Sequence, residues 1–415
     1  MRVLPITCYR PNPEAVAEFA ALPYDVFNRT EAAAYVAEHP RSFLAIDRPE
    51  TAFGPEQDMY AQEVYDKAGA MIRMRGADGT LLKDTTPCFY LYRLEQEGHS
   101  QLGVVAACSV AEYEDGTIRR HEKTRPEKTA DRVRHIRATG AQTGPVFVTY
   151  EDNAAVDIVV GLARTADALY DFTDEQGVRQ TIWRVARPIA VEALETAFST
   201  IPCAYIADGH HRASAAAQVC HDIRGEREAE GPVEGELASD SFLAVLFPAS
   251  QLSVMAYNRV VNDANGLTEE QLLEALAEHG FEVGAARDEA VSPTAARTFG
   301  MYAFGSWRTL SYIGEAPDAQ EDPAGALDVS LLQERVLGPL LGIDDPRTSS
   351  RITFVGGIEG TEGLERRAGT DGIAFSLFPT SVDQLMAVSD AGELMPPKST
   401  WFEPKLRSGL FIRRV

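Results

Sequence analysis

The sequence is poor in the features that mark secreted and membrane proteins. Its 415 residues include only five cysteines, which are scattered and form no Cys-x-x-Cys pair: Cys8, Cys88, Cys108, Cys203 and Cys220. This pattern predicts reduced thiols in a cytoplasmic protein. No apolar run approaches the roughly 18 residues that a membrane span requires, and residues 1–16 lack the apolar core of a secretory signal.

Positive charge is also scarce. The chain has 39 Lys and Arg against 62 Asp and Glu, which gives a formal net charge of -23 at pH 7. Such an excess of negative charge excludes a general nucleic-acid-binding surface and docking on anionic lipid, because both partners are polyanions. An anion-binding site must therefore lie in a local basic patch.

Length and element order predict an α+β protein of two or three domains. We expect an antiparallel hairpin of strands 88–94 and 102–113, which excludes an all-parallel sheet. A helix over 154–170 and an acidic surface loop over 224–240 follow. The elements predicted beyond that loop are a buried strand over 242–247, a capped helix over 268–279, a helix over 329–341, strands over 352–355 and 373–378, and a helix over 382–389.

The most informative segment reads AYIADGHHRASAAA, over residues 204–217. An apolar run of strand length ends at Asp208, which we predict as a helix N-cap, and Gly209 allows close backbone approach. His210, His211 and Arg212 open the helix, where N–H groups and the positive end of the helix dipole attract anions. The small residues at helical spacing that should pack on a sheet are Ala213, Ala216, Ala217 and Cys220.

Three interpretations of this segment stay open. The first is an anion-binding loop in which Asp208 orients a hydroxyl group or a hydrated Mg²⁺. The second is a metal site that uses Asp208, His210 and His211, although neighbouring helical residues point about 100° apart and only some could bind one ion. The third is a polar helix start in contact with solvent.

A second segment, residues 119–140, is basic within an acidic chain. It holds eight Lys or Arg and two His against three acids. Such a cluster repels itself unless an anion offsets it. Pro126 suits a first helical turn and Gly140 suits the position past the helix end, with Val133 and Ile136 on the buried side. Glu122 then lies in the loop before this helix, where it could accept a proton from a substrate hydroxyl. The alternative is a solvated basic helix face.

The third segment is the tail over residues 395–409. Two prolines stiffen the approach to three phosphate-compatible side chains, Lys398, Ser399 and Thr400. Trp401 and Phe402 follow, and then Lys405. The alternative interpretation is a C-terminal strand that packs its aromatic side chains into a core.

These segments occur in the same order in a widespread bacterial family, domain of unknown function 1015. The resemblance extends from LPYDVFN at residue 22 to MPPKSTWFEPK in the tail. Through the same segments the chain is similar to the free L-serine kinases, archaeal enzymes of the ParB/sulfiredoxin superfamily that use ADP. The three matches are the DGHHR turn, a His-Glu pair before a helix that ends in Thr-Gly, and a Gly-Glu followed by Pro-Lys-Ser-Thr.

The resemblance implies an α+β fold with a ParB/sulfiredoxin-like mixed-sheet core and α+β extensions at both ends. It implies that Glu122 is the general base, that Asp208 orients the acceptor or a Mg²⁺, and that Arg212 with its neighbours holds the phosphoryl group. The implied phosphate- and nucleotide-binding residues are Gly209, His210, His211 and Arg212. The implied substrate-binding residues are His121, Thr139, Gly140, Lys398, Ser399, Thr400 and Lys405.

Two departures from these relatives change the expectation. His210 stands where sulfiredoxins carry their catalytic cysteine, which excludes thiol-based sulfinic acid reduction. Trp401 and Phe402 stand where the serine kinases carry an Arg-His pair that grips the acceptor, although Lys398 and Lys405 could replace that charge. The sequence contains neither GxxxxGK[ST] nor a protein-kinase motif set, so the donor stays open between ADP and ATP.

The sequence thus predicts a cytoplasmic kinase that uses a nucleotide and Mg²⁺ to phosphorylate free L-serine or a related hydroxylated metabolite. Its partners are the nucleotide and a small-molecule substrate, with no nucleic acid and no membrane. Two rivals remain, a ParB-like nucleotide-binding switch and a metal-dependent hydrolase. The predicted regions are 1–100, a core over 101–250, and 251–415 with a tail over 392–410 that returns to the site.

Overall fold

The computed structural model describes residues 1–415 and contains 21 strands and 13 α-helices. The strands are β1 Val3–Leu4, β2 Cys8–Pro11, β3 Leu81–Lys83, β4 Phe89–Gln96, β5 His99–Ser109, β6 Ile118–Arg119, β7 Ala141–Gln142, β8 Val146–Tyr150, β9 Tyr170–Thr173, β10 Arg179–Val185, β11 Ala204–Asp208, β12 Ser241–Pro248, β13 Ser253–Met255, β14 Tyr257–Val261, β15 Phe281–Val283, β16 Thr298–Ala303, β17 Ser306–Tyr312, β18 Ile352–Gly356, β19 Ile373–Leu377, β20 Trp401–Glu403 and β21 Ile412–Arg414. The helices are α1 Val16–Phe19, α2 Arg29–Glu38, α3 Leu44–Asp47, α4 Gln62–Ala77, α5 Val110–Glu114, α6 Pro126–Thr139, α7 Ala154–Ala163, α8 Pro188–Ser199, α9 His210–Glu230, α10 Glu269–Glu278, α11 Asp328–Leu332, α12 Gly360–Ala368 and α13 Val382–Asp390.

The chain forms two compact units. Unit 1 comprises residues 1–120, 124–252 and 404–415, and unit 2 comprises residues 121–123 and 253–403. Each unit combines helices with sheets that contain antiparallel strands. The predicted α+β class is therefore confirmed.

Unit 1 is built on a nine-stranded mixed sheet. Its order is β6-β11-β8-β12-β5-β4-β10-β9, with β1 also paired to β5. β11 runs parallel to β6 and β12 runs parallel to β8, whereas the other pairs are antiparallel. A second sheet of unit 1 has the order β3-β2-β21-β7. The mixed-sheet core that the sequence predicts is present.

The predicted hairpin is confirmed as β4 and β5, joined at Glu97 and Gly98, both of which have positive φ. The boundary predicted between regions 1–100 and 101–250 falls inside this hairpin. The second strand ends at Ser109, whereas the prediction extended it to residue 113. The Ser109 hydroxyl accepts a hydrogen bond from the Glu112 N–H and caps α5, so residues 110–113 are helical rather than extended.

The small-residue face predicted for the DGHHR helix is confirmed. Ala213, Ala216, Ala217 and Cys220 of α9 are buried in the main core with side chains of α7, α8 and the large sheet. On another side of α9, Ala215 and Val219 pack with Val133 and Ile136 of α6. Alanine lets the helix approach closely, so α9 is held between the sheet and α6.

Two predicted elements of unit 1 are wrong in extent. The helix expected over 154–170 ends at Ala163, and Tyr170 begins β9. The acidic loop expected over 224–240 is helical up to Glu230, where α9 ends against Gly231. The segment 224–230 consists mainly of Arg and Glu, which are good helix formers, and the ion pair of Arg224 with Asp240 anchors this end of the helix.

Unit 2 is built on a six-stranded antiparallel sheet of order β15-β17-β16-β19-β14-β18. The predicted strands at 352–355 and 373–378 are confirmed as β18 and β19, and the helix at 382–389 as α13. The predicted capping box of Thr268 and Gln271 is also present and begins α10. The helix predicted over 329–341 changes hydrogen-bond pattern, because α11 ends at Leu332 and a π-helical turn follows over Gln333–Leu337.

A short pair of strands, β13 and β20, completes unit 2 and fixes the tail. Met255 pairs with Trp401 and Ser253 with Glu403. The Trp401 ring lies flat against Gly356, where a Cβ atom would approach the ring to 2.8 Å. No helix of either unit is both long enough and apolar enough to span a membrane.

Candidate functional site

The DGHHR segment forms a sharp turn between a strand and a long helix. β11 ends at Asp208, Gly209 has φ +98°, and α9 begins at His210. The strand is irregular just before the turn, because its register with β8 shifts between Ile206 and Asp208. The predicted strand and helix are thus confirmed, and the turn requires a residue that tolerates positive φ.

Asp208 does not cap the helix, so that prediction is wrong. The N-cap residue is Gly209, which has no side chain with which to cap α9. Asp208 is still part of the strand, and its carboxylate points to two cations instead. Its Oδ1 lies 3.7 Å from Nη2 of Arg212 and its Oδ2 lies 3.6 Å from Nζ of Lys405. The positive end of a 21-residue helix therefore meets an ionic cluster at one turn.

Arg212 folds back beneath the turn. Its Nη1 donates a hydrogen bond to the carbonyl oxygen of Pro145, and a Cβ atom added to Gly209 would lie 3.0 Å from its Nε. The guanidinium also lines a small cavity of about 30 Å³, with space for one or two waters, beside Thr143 and Gly144. Arg212 thus holds the turn to the segment that leads into β8.

His211 connects the turn to the basic segment. The backbone N–H of Arg125, just before α6, donates to Nε2 of His211 over 3.0 Å. Because Nε2 accepts this hydrogen bond, the neutral ring carries its proton on Nδ1. Within unit 1 the DGHHR turn and the start of α6 are therefore in contact.

His210 is neutral at physiological pH. Burial lowers the pKa of its imidazole to about 3, and the positive charge of Arg212 acts in the same direction, whereas Asp208 opposes the shift. Positive charge at this turn therefore comes from Arg212, Lys405 and the helix dipole.

This lowered pKa predicts how stability depends on pH. An unfolded chain protonates His210 below about pH 6.5, whereas the folded protein does not until about pH 3. The contribution of the neutral His210 ring to the free energy of unfolding is therefore complete above pH 6.5 and is lost as the pH falls toward 3. We expect the free energy of unfolding to drop by roughly 1 kcal/mol per pH unit from this group.

Urea unfolding of wild-type protein and His210→Gln at several pH values tests this expectation. His210→Gln should show a shallower loss of stability between pH 6 and pH 4. His221→Gln is the matched control, because His221 lies on the same helix with an exposed ring 2.6 Å from Glu114. Equal slopes for wild type and His210→Gln would contradict the assignment.

The surroundings of Asp208 limit how a metal could bind. Mg²⁺ takes carboxylate, phosphate and water oxygens. Asp208 contacts Arg212 and Lys405 through its two oxygens, and no group of three or more His, Cys, Asp or Glu lies close enough together to hold an ion. The residues present do not fit a metal held by the protein alone, and the Mg²⁺ expected near Asp208 stays a prediction.

Unit 2 brings the His-Glu pair to the tail. The buried His121 accepts a hydrogen bond through its carbonyl oxygen from the N–H of Met395 over 2.8 Å. Glu122, the next residue, is half-buried in the same short segment. In the tail, the hydroxyl of the buried Ser399 donates to the Pro396 carbonyl oxygen over 2.6 Å, and Lys398 has φ +57°. The role of these residues in substrate binding stays a prediction, as does that of the half-buried Thr400.

Thr139 and Gly140 lie far from His211. They end α6, whose 14 residues span about 20 Å, whereas His211 contacts the residue before its start. The Thr139 hydroxyl donates to the carbonyl oxygen of His135 over 2.7 Å, and Gly140 has φ +61°. Both residues terminate the helix as their types suggest, and their proposed contact with substrate stays untested.

Two residues near the turn were not predicted from the sequence. Pro145 supplies the carbonyl oxygen that Arg212 uses, and Gly144 lies beside the same side chain, where an added Cβ would be in van der Waals contact with it at 3.6 Å. The only local signal is the Gly-Pro pair before a predicted strand, which is typical of a turn and not of a binding site.

A search of curated proteins finds no relative of this chain. Among solved structures, SbnI with a C-terminal truncation from Staphylococcus aureus is 14% identical with a TM-score of 0.37, over 74% of this chain and 87% of the other. A conserved hypothetical protein from Pyrococcus furiosus is 12% identical with a TM-score of 0.36, over 75% and 95%. A mutant of free serine kinase in complex with ADP is 13% identical with a TM-score of 0.34, over 72% and 87%.

A family model matches most of the chain. It covers residues 3–330, which include the DGHHR turn and the basic segment but not the tail. The family resemblance drawn from the motifs is thereby confirmed. This chain belongs to the family described as protein of unknown function DUF1015.

Proposed function

We propose that this protein is a nucleotide-dependent kinase that phosphorylates the hydroxyl group of a small metabolite, with free L-serine or a close relative as the first candidate acceptor. The observation that carries the proposal is the turn at Gly209. There the N-terminus of a 21-residue helix lies beside the side chains of Arg212 and Lys405, which both contact Asp208. A strand-turn-helix of this kind is a ready-made site for phosphate.

The turn can offset the charge of a phosphoryl group during transfer. The helix N-terminus carries about half a positive charge, and Arg212 and Lys405 add two positive charges beside the carboxylate of Asp208. His211 ties the turn to the start of α6, because its Nε2 accepts a hydrogen bond from the Arg125 N–H. Because phosphoryl transfer depends mainly on positioning and charge neutralisation, such a site needs no nucleophile of its own.

Glu122 is the proposed general base. As the acceptor oxygen bonds to the terminal phosphorus of the nucleotide, the hydroxyl proton moves to the Glu122 carboxylate and the bond from phosphorus to the leaving oxygen breaks. The products are a phosphomonoester and AMP from ADP, or ADP from ATP. Asp208 is the proposed group that orients the acceptor. A magnesium ion that arrives with the nucleotide would neutralise phosphate charge.

The acceptor is proposed to contact seven residues from the basic segment and the tail. The residues assigned to it are His121, Thr139, Gly140, Lys398, Ser399, Thr400 and Lys405. The Arg-His pair of the similar serine kinases is replaced here by Trp401 and Phe402. The acceptors to be tested therefore include relatives of serine as well as serine itself.

The direct test is phosphoryl transfer by purified protein. We would incubate it with Mg²⁺, ADP or ATP, and single hydroxy acids including L-serine, and follow products by ³¹P NMR. The kinase hypothesis predicts a phosphomonoester and the shortened nucleotide in equal amounts. Nucleotide binding without any phosphorylated acceptor would favour a nucleotide-binding switch, and tightly held zinc in elemental analysis would favour a hydrolase.

A further inference from the structure

Arg259 is a buried cation without a counter-ion. It lies in the middle of β14 and is 3% exposed. Its hydrogen-bond partners are two backbone carbonyl oxygens, of Tyr257 through Nη1 and of Pro397 through Nη2 at 3.3 Å. The other contacts of its guanidinium are ring faces, with centroids 4.7 Å away for Phe354 and 6.0 Å away for Tyr257. A guanidinium has five N–H donors, so two acceptors leave some of its donors without a hydrogen-bond partner.

Other buried arginines of this chain are satisfied. Arg48, Arg132 and Arg407 each pair with a carboxylate. Arg413 also lacks a carboxylate, but it donates four hydrogen bonds, to Gln142, Ala238 and both oxygen atoms of Ser241. Arg259 alone in this group has neither an acid nor a full set of acceptors.

Such an arrangement costs stability in the absence of a ligand. A buried charge without a counter-ion loses hydration that two carbonyl oxygens and two ring faces replace only in part. Burial lowers the pKa of Arg259 to about 10, which still leaves it positively charged at neutral pH. An anion bound to Arg259 would offset this cost.

The loop next to Arg259 has the features of a ligand-binding segment. Lys398, one residue after the Pro397 carbonyl, has φ +57°, a strained conformation for a residue with a side chain. Its Nζ lies 5.6 Å from the centroid of Tyr257, the ring that Arg259 also approaches. Two cations thus share one aromatic ring within unit 2.

We propose that Arg259 and Lys398 form a carboxylate-binding subsite of unit 2. A planar carboxylate matches the fork of a guanidinium and can accept two parallel hydrogen bonds. The carboxylate would replace the Pro397 carbonyl, whose 3.3 Å hydrogen bond is long. A singly charged carboxylate also suits a site walled by Tyr257 and Phe354 better than phosphate does, because it loses less hydration free energy on burial. The subsite depends on unit 2 alone and not on the proposed kinase activity.

Thermal unfolding in sodium acetate, phosphate or chloride at equal ionic strength, each with and without saturating ADP, tests the subsite. Acetate should raise the unfolding temperature of wild type above that in chloride, because it binds the folded state. Arg259→Met should lose this rise, Arg259→Lys should keep part of it, and Arg413→Met should keep all of it. In chloride, Arg259→Met should unfold at the wild-type temperature or above, whereas Arg413→Met should unfold earlier.

Two results would overturn the subsite. One is an acetate-induced rise that survives in Arg259→Met, and the other is a loss of stability in chloride as large for Arg259→Met as for Arg413→Met. A rise with phosphate that exceeds the rise with acetate and disappears in Arg259→Met would contradict the carboxylate assignment. Absence of any shift with ADP would count against the proposed function and leave the acetate comparison intact.

Discussion

Glu122→Gln is expected to lower the rate of phosphoryl transfer by about 10²–10⁴-fold. The amide has the size of the carboxylate but cannot accept the proton of the acceptor hydroxyl. The affinity for nucleotide should stay unchanged, because Glu122 is not part of the turn at Gly209 that is proposed to bind phosphate. Single-turnover kinetics measure the first quantity, and calorimetric titration with ADP measures the second.

Glu127→Gln is the matched control for this experiment. Glu127 lies five residues further on, exposed in the first turn of α6, and the same change there should leave transfer at the wild-type rate. The pH profile adds a second criterion, since an acidic limb due to a general base should disappear in Glu122→Gln. Equal losses in both variants, or a loss of nucleotide affinity that accounts for the lower rate, would remove Glu122 from the role of base.

Local signals predicted the elements around the turn well. Pro126 and Gly140 mark the two ends of α6, because one lacks an N–H that the helix start does not need and the other accepts a positive φ. The alanines of α9 predicted a face in close contact with the sheet, and that face is buried. These signals act within a few residues of the backbone they specify, so one sequence suffices to recognise them.

Side-chain partners were harder to predict. Asp208 is a good N-cap by type, yet tertiary contacts with Arg212 and Lys405 determine where its carboxylate points. The contact with Lys405 joins residues that are distant in sequence, and no spacing rule encodes it. Arg259 is a single charged residue within a strand, and its lack of a counter-ion is visible only once the burial of that strand is known.

Gly209→Ala should weaken nucleotide binding tenfold or more and destabilise the fold. Gly209 has φ +98°, and a conformation of this kind costs a residue with a side chain about 1–3 kcal/mol. The added Cβ would also lie 3.0 Å from Nε of Arg212, so the guanidinium must shift away from the turn that it supports. Each 1.4 kcal/mol lost at the site is about a tenfold loss in affinity. ADP titration and urea unfolding measure the two effects.

Gly225→Ala is the control within the same helix. Gly225 lies in the exposed second half of α9, and an added Cβ would meet no atom within 4 Å. Replacing glycine by alanine in a helix interior should therefore raise the free energy of unfolding by about 1 kcal/mol and leave ADP affinity unchanged. The two variants should thus change the free energy of unfolding in opposite directions, which separates strain at the turn from a general effect of alanine on the helix. If Gly209→Ala binds ADP as tightly as Gly225→Ala does, the turn is not the place where the nucleotide binds.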